Sequence, residues 1–325
     1  MQLTTRFFAL LATLLGPLAL LFGQGAAPAS APTYDASFQV PTANDTSLLW
    51  SITGEGIERP SFVFGTIHMI PAEDYFLEST VVRAINESDE VLFEIDPGEM
   101  QNPAVMMSLM SRINMRGDTS LETLLSPARY DSVVTYFTEM GLPPFMLNRM
   151  KPMFLSSMVG QELGAGNPLM GGGGNSDIKS YELELSKIAE VAGKPIAGLE
   201  TMEFQLGLFD SVPYTVQAEM LYRAVSDDIA SEMTGEGSPY DEIVAMYLTK
   251  SVANMAQMIT DESGDFGNFE ELLLVRRNES WVPAIAKRLT DTPTVYAVGA
   301  GHLGGERGVI ALLRAEGYTV EPVYP

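Results

Sequence analysis

An α/β fold is predicted: a central mixed β-sheet made from strands at both ends of the chain, with a long helical insertion between them. Three observations predict it. Runs rich in β-branched and aromatic residues cluster at the two ends, at 48–53, 61–67 and 90–96, then at 294–298 and 318–323. From about 99 to 290 the apolar spacing is mostly helical, with one strand-like run at 194–199 that is expected to return to the sheet. The chain closes as strand, glycine-rich turn, helix and strand, a unit that places side chains at the carboxyl end of a strand, where open α/β sheets carry their chemistry.

In chain order, residues 1–25 are a separate object. Arg6 is their one charge, Phe7 to Phe22 is a low-polarity run too short to span a bilayer comfortably, and Gly23 and Gly25 supply small residues for cleavage. This reads as a secretory signal peptide, which implies export to a periplasm or out of the cell. Residues 26–45, rich in Ala, Pro, Ser and Thr, read as a disordered linker. A single domain then occupies 46–325. Leu48–Thr53 and Ser61–Ile67 form a hairpin, Ser79–Glu87 a short helix, and Glu90–Asp96 a strand whose alternation puts Glu94 and Asp96 on one face. Ser126-Pro127 caps a helix that ends at Gly141. One helix is expected over Phe145–Leu163 and one over Asp177–Ala192. A long helical region is expected from Thr201 to about Arg288, broken near Gly235–Pro239 and Gly264–Gly267. Gly164–Gly174 reads as a flap or a plain linker.

The composition limits the function. The chain carries 19 Lys and Arg against 42 Asp and Glu, a formal charge of −23, so its surface repels nucleic acid. With no cysteine it has neither a disulfide nor a lipid-attachment thiol. Once the leader is removed, no membrane partner is expected. The partner expected instead is a peptide or small-molecule substrate.

The two histidines are the strongest signal. His68 follows Ser61–Ile67 and His302 follows Thr294–Val298, each three residues after a glycine. Neutral imidazole binds metals and titrates near neutrality, and a glycine beside it lets a ligand approach the backbone. Glu94 ends a hydrophobic strand, where a carboxylate is costly unless it is paired or ligating. His68, Glu94 and His302 therefore make a candidate site for a divalent metal such as Zn, Mn, Co or Fe. Glu200, at a strand end before a helix, reads as a base, a ligand or a helix-start acid. Arg277 reads as an anion holder or as the partner of Glu270, Glu271 or Glu279. Asn278 is expected to fix a loop. The methionines between Met100 and Met158 read as core filling or an adaptable apolar groove. Asp261-x-Ser263-x-Asp265 lacks the glycine and terminal glutamate of a calcium loop.

Phe64–Pro71 (FGTIHMIP), Phe93–Asp96 (FEID), Lys151-Pro152, Gly198–Thr201 with Gln205, Arg277-Asn278 and Val298–Gly305 (VGAGHLGG) occur in that order. In these segments the chain resembles the TraB/GumN (PrgY) family, which includes the Tiki Wnt-cleaving metalloproteases. The resemblance runs from about Leu48 to Val323. It implies paired Gly-x-x-His motifs and a strand glutamate in one cleft of a Tiki/TraB/erythromycin-esterase-like fold. It places His68, Glu94 and His302 around the metal of an exported metal-dependent hydrolase, most simply a peptidase, with Glu200 and Arg277 as catalytic residues. Two other readings of the same residues remain open: a metal-independent, esterase-like hydrolase using a histidine base, and a non-catalytic protein that binds a peptide signal or a haem-like ligand.

Overall fold

The structure is a computed structural model that describes residues 40–101, 105, 107, 112–160, 178–235, 237–263 and 270–325. Residues 1–25, the linker up to residue 39, Gly164–Gly174 and the expected break at Gly264–Gly267 lie outside the described residues.

The strands are β1 (Leu49–Thr53), β2 (Ser61–Thr66), β3 (Ile70–Pro71), β4 (Glu90–Phe93), β5 (Ile178–Lys179), β6 (Ile196–Gly198), β7 (Thr294–Gly299) and β8 (Thr319–Pro322). Six of them form one mixed sheet in the order β6-β4-β7-β2-β1-β8, and β3 pairs with β5 separately. β6, β4, β7 and β2 are mutually parallel, while β1 runs antiparallel to both β2 and β8. Strands from the two ends of the sequence are thus hydrogen-bonded at the centre, Thr66 opposite Gly299 and Phe93 opposite both Ala297 and Gly198.

Every residue of β2 and β7 is buried, and so are Val91, Leu92 and Phe93 of β4. Helices cover both faces of the parallel part, so the alternation expected for residues 90–96 gives way to burial on both sides. β4 ends at Phe93, and Glu94 is the first residue beyond it.

Two apolar clusters divide the molecule. One joins the sheet to the helices Ser79–Glu87, Tyr181–Val191, Pro239–Leu248, Arg276–Ala286 and Val309–Ala315. The other lies in the helical insertion. There Met115, Met150, Met153 and Met158 pack as core residues beside Val133, Phe137, Leu221 and Val225. Ile95, immediately after Glu94, belongs to this second cluster, so the insertion rests on the sheet at the end where β4 exits.

The helices are shorter than the apolar periodicity predicts. The expected helix 145–163 is two, Pro144–Leu147 and Pro152–Ser156, and Pro152 holds Lys151 outside the helical region, so one helix cannot run through it. The region after Thr201 divides into Met202–Phe209, Tyr214–Thr234, Pro239–Leu248 and Val252–Ser263, with additional breaks before Pro213 and at Lys250, which has a positive φ of 58°. The helix of the closing unit begins at Val309.

Candidate active site

Four strand exits converge. His68 lies two residues beyond β2, Glu94 one beyond β4, Glu200 two beyond β6 and His302 three beyond β7, all at the carboxyl ends of parallel strands. Sequence-distant residues meet here because β7 inserts between β2 and β4.

Two glycines set the spacing. A Cβ on Gly65 would stand 3.0 Å from Ala300 Cβ and 3.1 Å from its Cα, so the glycine lets the His302 turn close over β2. A Cβ on Gly198 would stand 2.6 Å from Glu200 O and 2.8 Å from Asp96 N, so the exits of β6 and β4 can touch there without a side chain.

Arg277 is the hub. It is fully buried, on the helix Arg276–Ala286, just after a π-helical turn at Glu271–Val275. Its NH2 donates to Glu94 Oε2 at 2.5 Å and lies 3.0 Å from Glu200 Oε2. Its Nε donates to both Glu200 oxygens, and its NH1 donates to Leu273 O at 3.0 Å and to His302 Nε2 at 3.1 Å. The guanidinium carbon also lies 4.9 Å from the Trp281 ring centre. Gln205 Nε2 bridges the same two carboxylates, 3.1 Å from Glu94 Oε2 and 3.1 Å from Glu200 Oε2.

Arg277 has no lone pair to offer, so His302 Nε2 must accept, and the ring proton sits on Nδ1. That proton is donated to Asn278 Oδ1 at 2.6 Å, while Asn278 Nδ2 donates to Arg307 O at 2.9 Å. Burial and the neighbouring guanidinium push His302 down to a pKa of about 3, so it is neutral. His302 Nε2 lies 3.6 Å from Glu94 Oε1, and Glu94 Oε1 accepts from Gly299 N at 2.7 Å. Burial by itself would raise Glu94. Arg277, both imidazoles and the Gly299 amide outweigh it and hold the carboxyl at about 2.

His68 is tied on its other side. Its Nδ1 lies 2.8 Å from Glu182 Oε1, which also accepts from Thr66 Oγ1, while Ser180 Oγ donates to Glu182 Oε2. Burial lowers the His68 pKa, but the Glu182 carboxylate overcomes this and leaves it raised. His68 Nε2 is buried without a hydrogen-bond partner among the described residues, and so is Gln205 Oε1. The fields of His68, Glu94 and His302 act on one another.

Of the sequence-predicted residues, Glu94, Glu200, Arg277 and His302 are therefore in direct contact, and His68 lies within electrostatic range of Glu94 and His302. Arg277 pairs with Glu94 and Glu200 rather than with Glu270, Glu271 or Glu279. Arg307 takes Glu271 and Glu279 instead. Asn278 does more than fix a loop, because it sets the His302 tautomer. Asp96, which shared Glu94's expected face, accepts from Gly98 N and shapes the turn after β4. Glu182 is the residue that the sequence reading missed. An acid in the first turn of a helix ordinarily complements the helix dipole, which hides its contact with a histidine far away in sequence.

The donor chemistry suits a divalent cation. Each imidazole has its Nδ1 held by an oxygen, leaving Nε2 as the metal-facing nitrogen, the usual outer-shell arrangement of histidine ligands. Two carboxylates, Glu94 and Glu200, hold one guanidinium, and a third, Glu182, holds His68. Against this, no group of three or more His, Asp or Glu side chains among the described residues stands close enough to hold an ion. Arg277 NH1 occupies the His302 lone pair, so a cation at His302 requires the guanidinium to withdraw toward Glu200. The site is closed, with the side chain of His68 12% exposed and that of His302 fully buried. Beside it a cleft of about 690 Å³ reaches Asn278 and Gly301 and runs along Gly304, Gly305 and Gly308.

A profile of the TraB/PrgY/gumN family matches residues 48–322, from β1 to the end of β8. The chain belongs to this family. Among curated proteins, family resemblance extends to metalloprotease TIKI1 of Danio rerio, 23% identical across 86% of this chain and 64% of the relative. It extends also to metalloprotease TIKI2 of Danio rerio, 25% identical across 90% and 67%, and to the metalloprotease TIKI homolog of Amphimedon queenslandica, 20% identical across 86% and 62%. The chain thus spans about two thirds of the length of these relatives. No solved structure matches. No described helix is long and apolar enough to cross a membrane.

Proposed function

We propose that this family member is an exported hydrolase of peptide bonds whose site binds a divalent cation through His68, Glu94 and His302. The observation that carries the reading is the pairing of two imidazoles, each anchored at Nδ1 by Glu182 or Asn278, around a carboxylate held ionised at about pKa 2. The names of the Tiki relatives support the reaction class. A cation bound there supplies Lewis-acid polarisation and an acidified water.

The chain's own groups do the rest. Glu182 and Asn278 orient the ligating rings. Glu200, held between Arg277 and Gln205, is the carboxylate placed to accept a proton from the attacking water and return it to the leaving amine. Arg277, released from His302 Nε2, steadies the negative oxygen that develops on the substrate carbonyl. Burial strengthens each of these interactions by excluding water. The glycine-lined cleft beside Asn278 suits the backbone of an extended peptide. Export follows from the leader-like residues 1–25 and is tested by N-terminal sequencing of the protein recovered from the cell exterior or periplasm.

The decisive experiment combines elemental analysis of protein purified without chelator with peptide-library cleavage, with and without chelator. Stoichiometric metal and chelator-sensitive cleavage that disappears in His302→Ala are expected. Cleavage indifferent to both treatments refutes the reading. The buried Nε2 of His68, without a hydrogen-bond partner among the described residues and with its ring's pKa raised beside Glu182, favours a second reading, a metal-independent hydrolase with a histidine base. Metal-free protein with full cleavage that is lost in His68→Ala selects it.

A further inference from the structure

The helix Met202–Phe209 that brings Gln205 to the site leads, at its other end, to a second polar cavity. Arg112, Asn114, Arg116, Lys151 and Asp210 line a space of about 180 Å³ together with Leu206 and Gly207. In a chain with 42 acids and 19 bases, a lining of three bases and one acid reverses the average charge.

Lys151 anchors the cavity. Its side chain is 3% exposed and its Nζ lies 2.7 Å from Asp210 Oδ1. An ammonium in such a place is costly unless it is paired. Its one described carboxylate is shared, because Asp210 Oδ2 also accepts from Arg116 NH2 at 2.7 Å. Burial pulls the Lys151 pKa down, Asp210 opposes this in part, and Arg116 and Arg112 add to the fall. Arg112 pairs with Glu203, which is not in the lining. Two cations facing one carboxylate leave room for a second anion.

We propose that this cavity is an oxyanion site that takes a carboxylate or phosphate group. The planar guanidinium forks of Arg112 and Arg116 match such oxygens bidentately, Lys151 supplies a point charge, and the Asn114 amide is a further polar group at the wall. The volume admits several waters' worth of ligand, at roughly 30 Å³ each. It falls short of the roughly 300 Å³ at which drug-sized pockets begin. It suits a small anion or the end group of a longer chain. This site is independent of the hydrolase reading, and its test measures binding rather than cleavage.

The test is calorimetric and thermal titration of the full chain with inorganic phosphate, with acetate, and with trialanine against trialanine amide, all at constant ionic strength set by sodium chloride. A saturable stabilisation by at least one oxyanion is expected, weakened about tenfold or more in Arg112→Gln and in Arg116→Gln, the size of one lost charged hydrogen bond. A response confined to phosphate identifies a phosphate site. A response to acetate and trialanine but not to the amide identifies a carboxylate site. Shifts no larger than those of chloride, or unchanged in both arginine variants, overturn the proposal.

Discussion

Replacing Arg277 by methionine tests whether the site is organised by charge. The guanidinium is fully buried and pairs with two carboxylates, each 5% exposed. In the native protein the Glu94 carboxyl is held at about 2 rather than its ordinary 4.5. A folded-state pKa below the unfolded value means that ionised Glu94 stabilises the fold above pH 4.5. That contribution is lost as pH falls toward 2. A shift of this size corresponds to about 3 kcal/mol. Without the guanidinium, Glu94 and Glu200 are left as buried charges, and breaking such a pair ordinarily costs about 3–5 kcal/mol. Burial then raises Glu94 instead of being overcome, so the sign reverses, and the variant relieves its penalty by taking up a proton as pH falls. Urea unfolding at pH 7, 5.5 and 4 reads this directly. The expected result is a deficit of about 3–5 kcal/mol at pH 7 that shrinks toward pH 4. A deficit below about 1 kcal/mol, or one that is the same at all three values, refutes the reasoning, because a purely steric loss does not titrate.

Glu182→Gln keeps the shape beside His68 but removes the charge that raises its pKa. Zinc affinity, read by titration with a fluorescent competitor, and cleavage of a peptide substrate are both expected to fall about 10–100-fold, with little change in the far-ultraviolet circular dichroism. Asn278→Leu strands the His302 Nδ1 proton and the Arg307 carbonyl, at a cost of about 1–3 kcal/mol in urea unfolding. An unchanged midpoint contradicts the tautomer assignment. Gly198→Ala sets a methyl group against the Glu200 carbonyl and the Asp96 amide, both backbone atoms that cannot swing away. A loss of about 1–3 kcal/mol with reduced cleavage is expected, and a neutral result means that the exits of β4 and β6 are not in contact.

The strand-exit placement of His68, Glu94 and His302 was legible because each is a costly residue at the end of an apolar run. The contacts of Arg277 with Glu94, Glu200 and His302 were legible only as a list. Glu182 was not legible at all, since its first-turn position has an ordinary explanation. The helix boundaries failed in an instructive place. Pro152 interrupted a helix that apolar spacing would have carried on, because the proline ring constrains the residue before it more strongly than side-chain periodicity favours continuation.

The sequence by itself determined the α/β class and the strand-exit positions of the chemical groups. These depend on local propensity and on the price of exposing apolar runs. Only the tertiary structure decided that β7 lies between β2 and β4, that Glu94 and Glu200 rather than acids near in sequence answer Arg277, and that an oxygen holds Nδ1 of each imidazole. Most of those outcomes depend on contacts between residues far apart in sequence, where charge satisfaction in a buried space outweighs proximity along the chain.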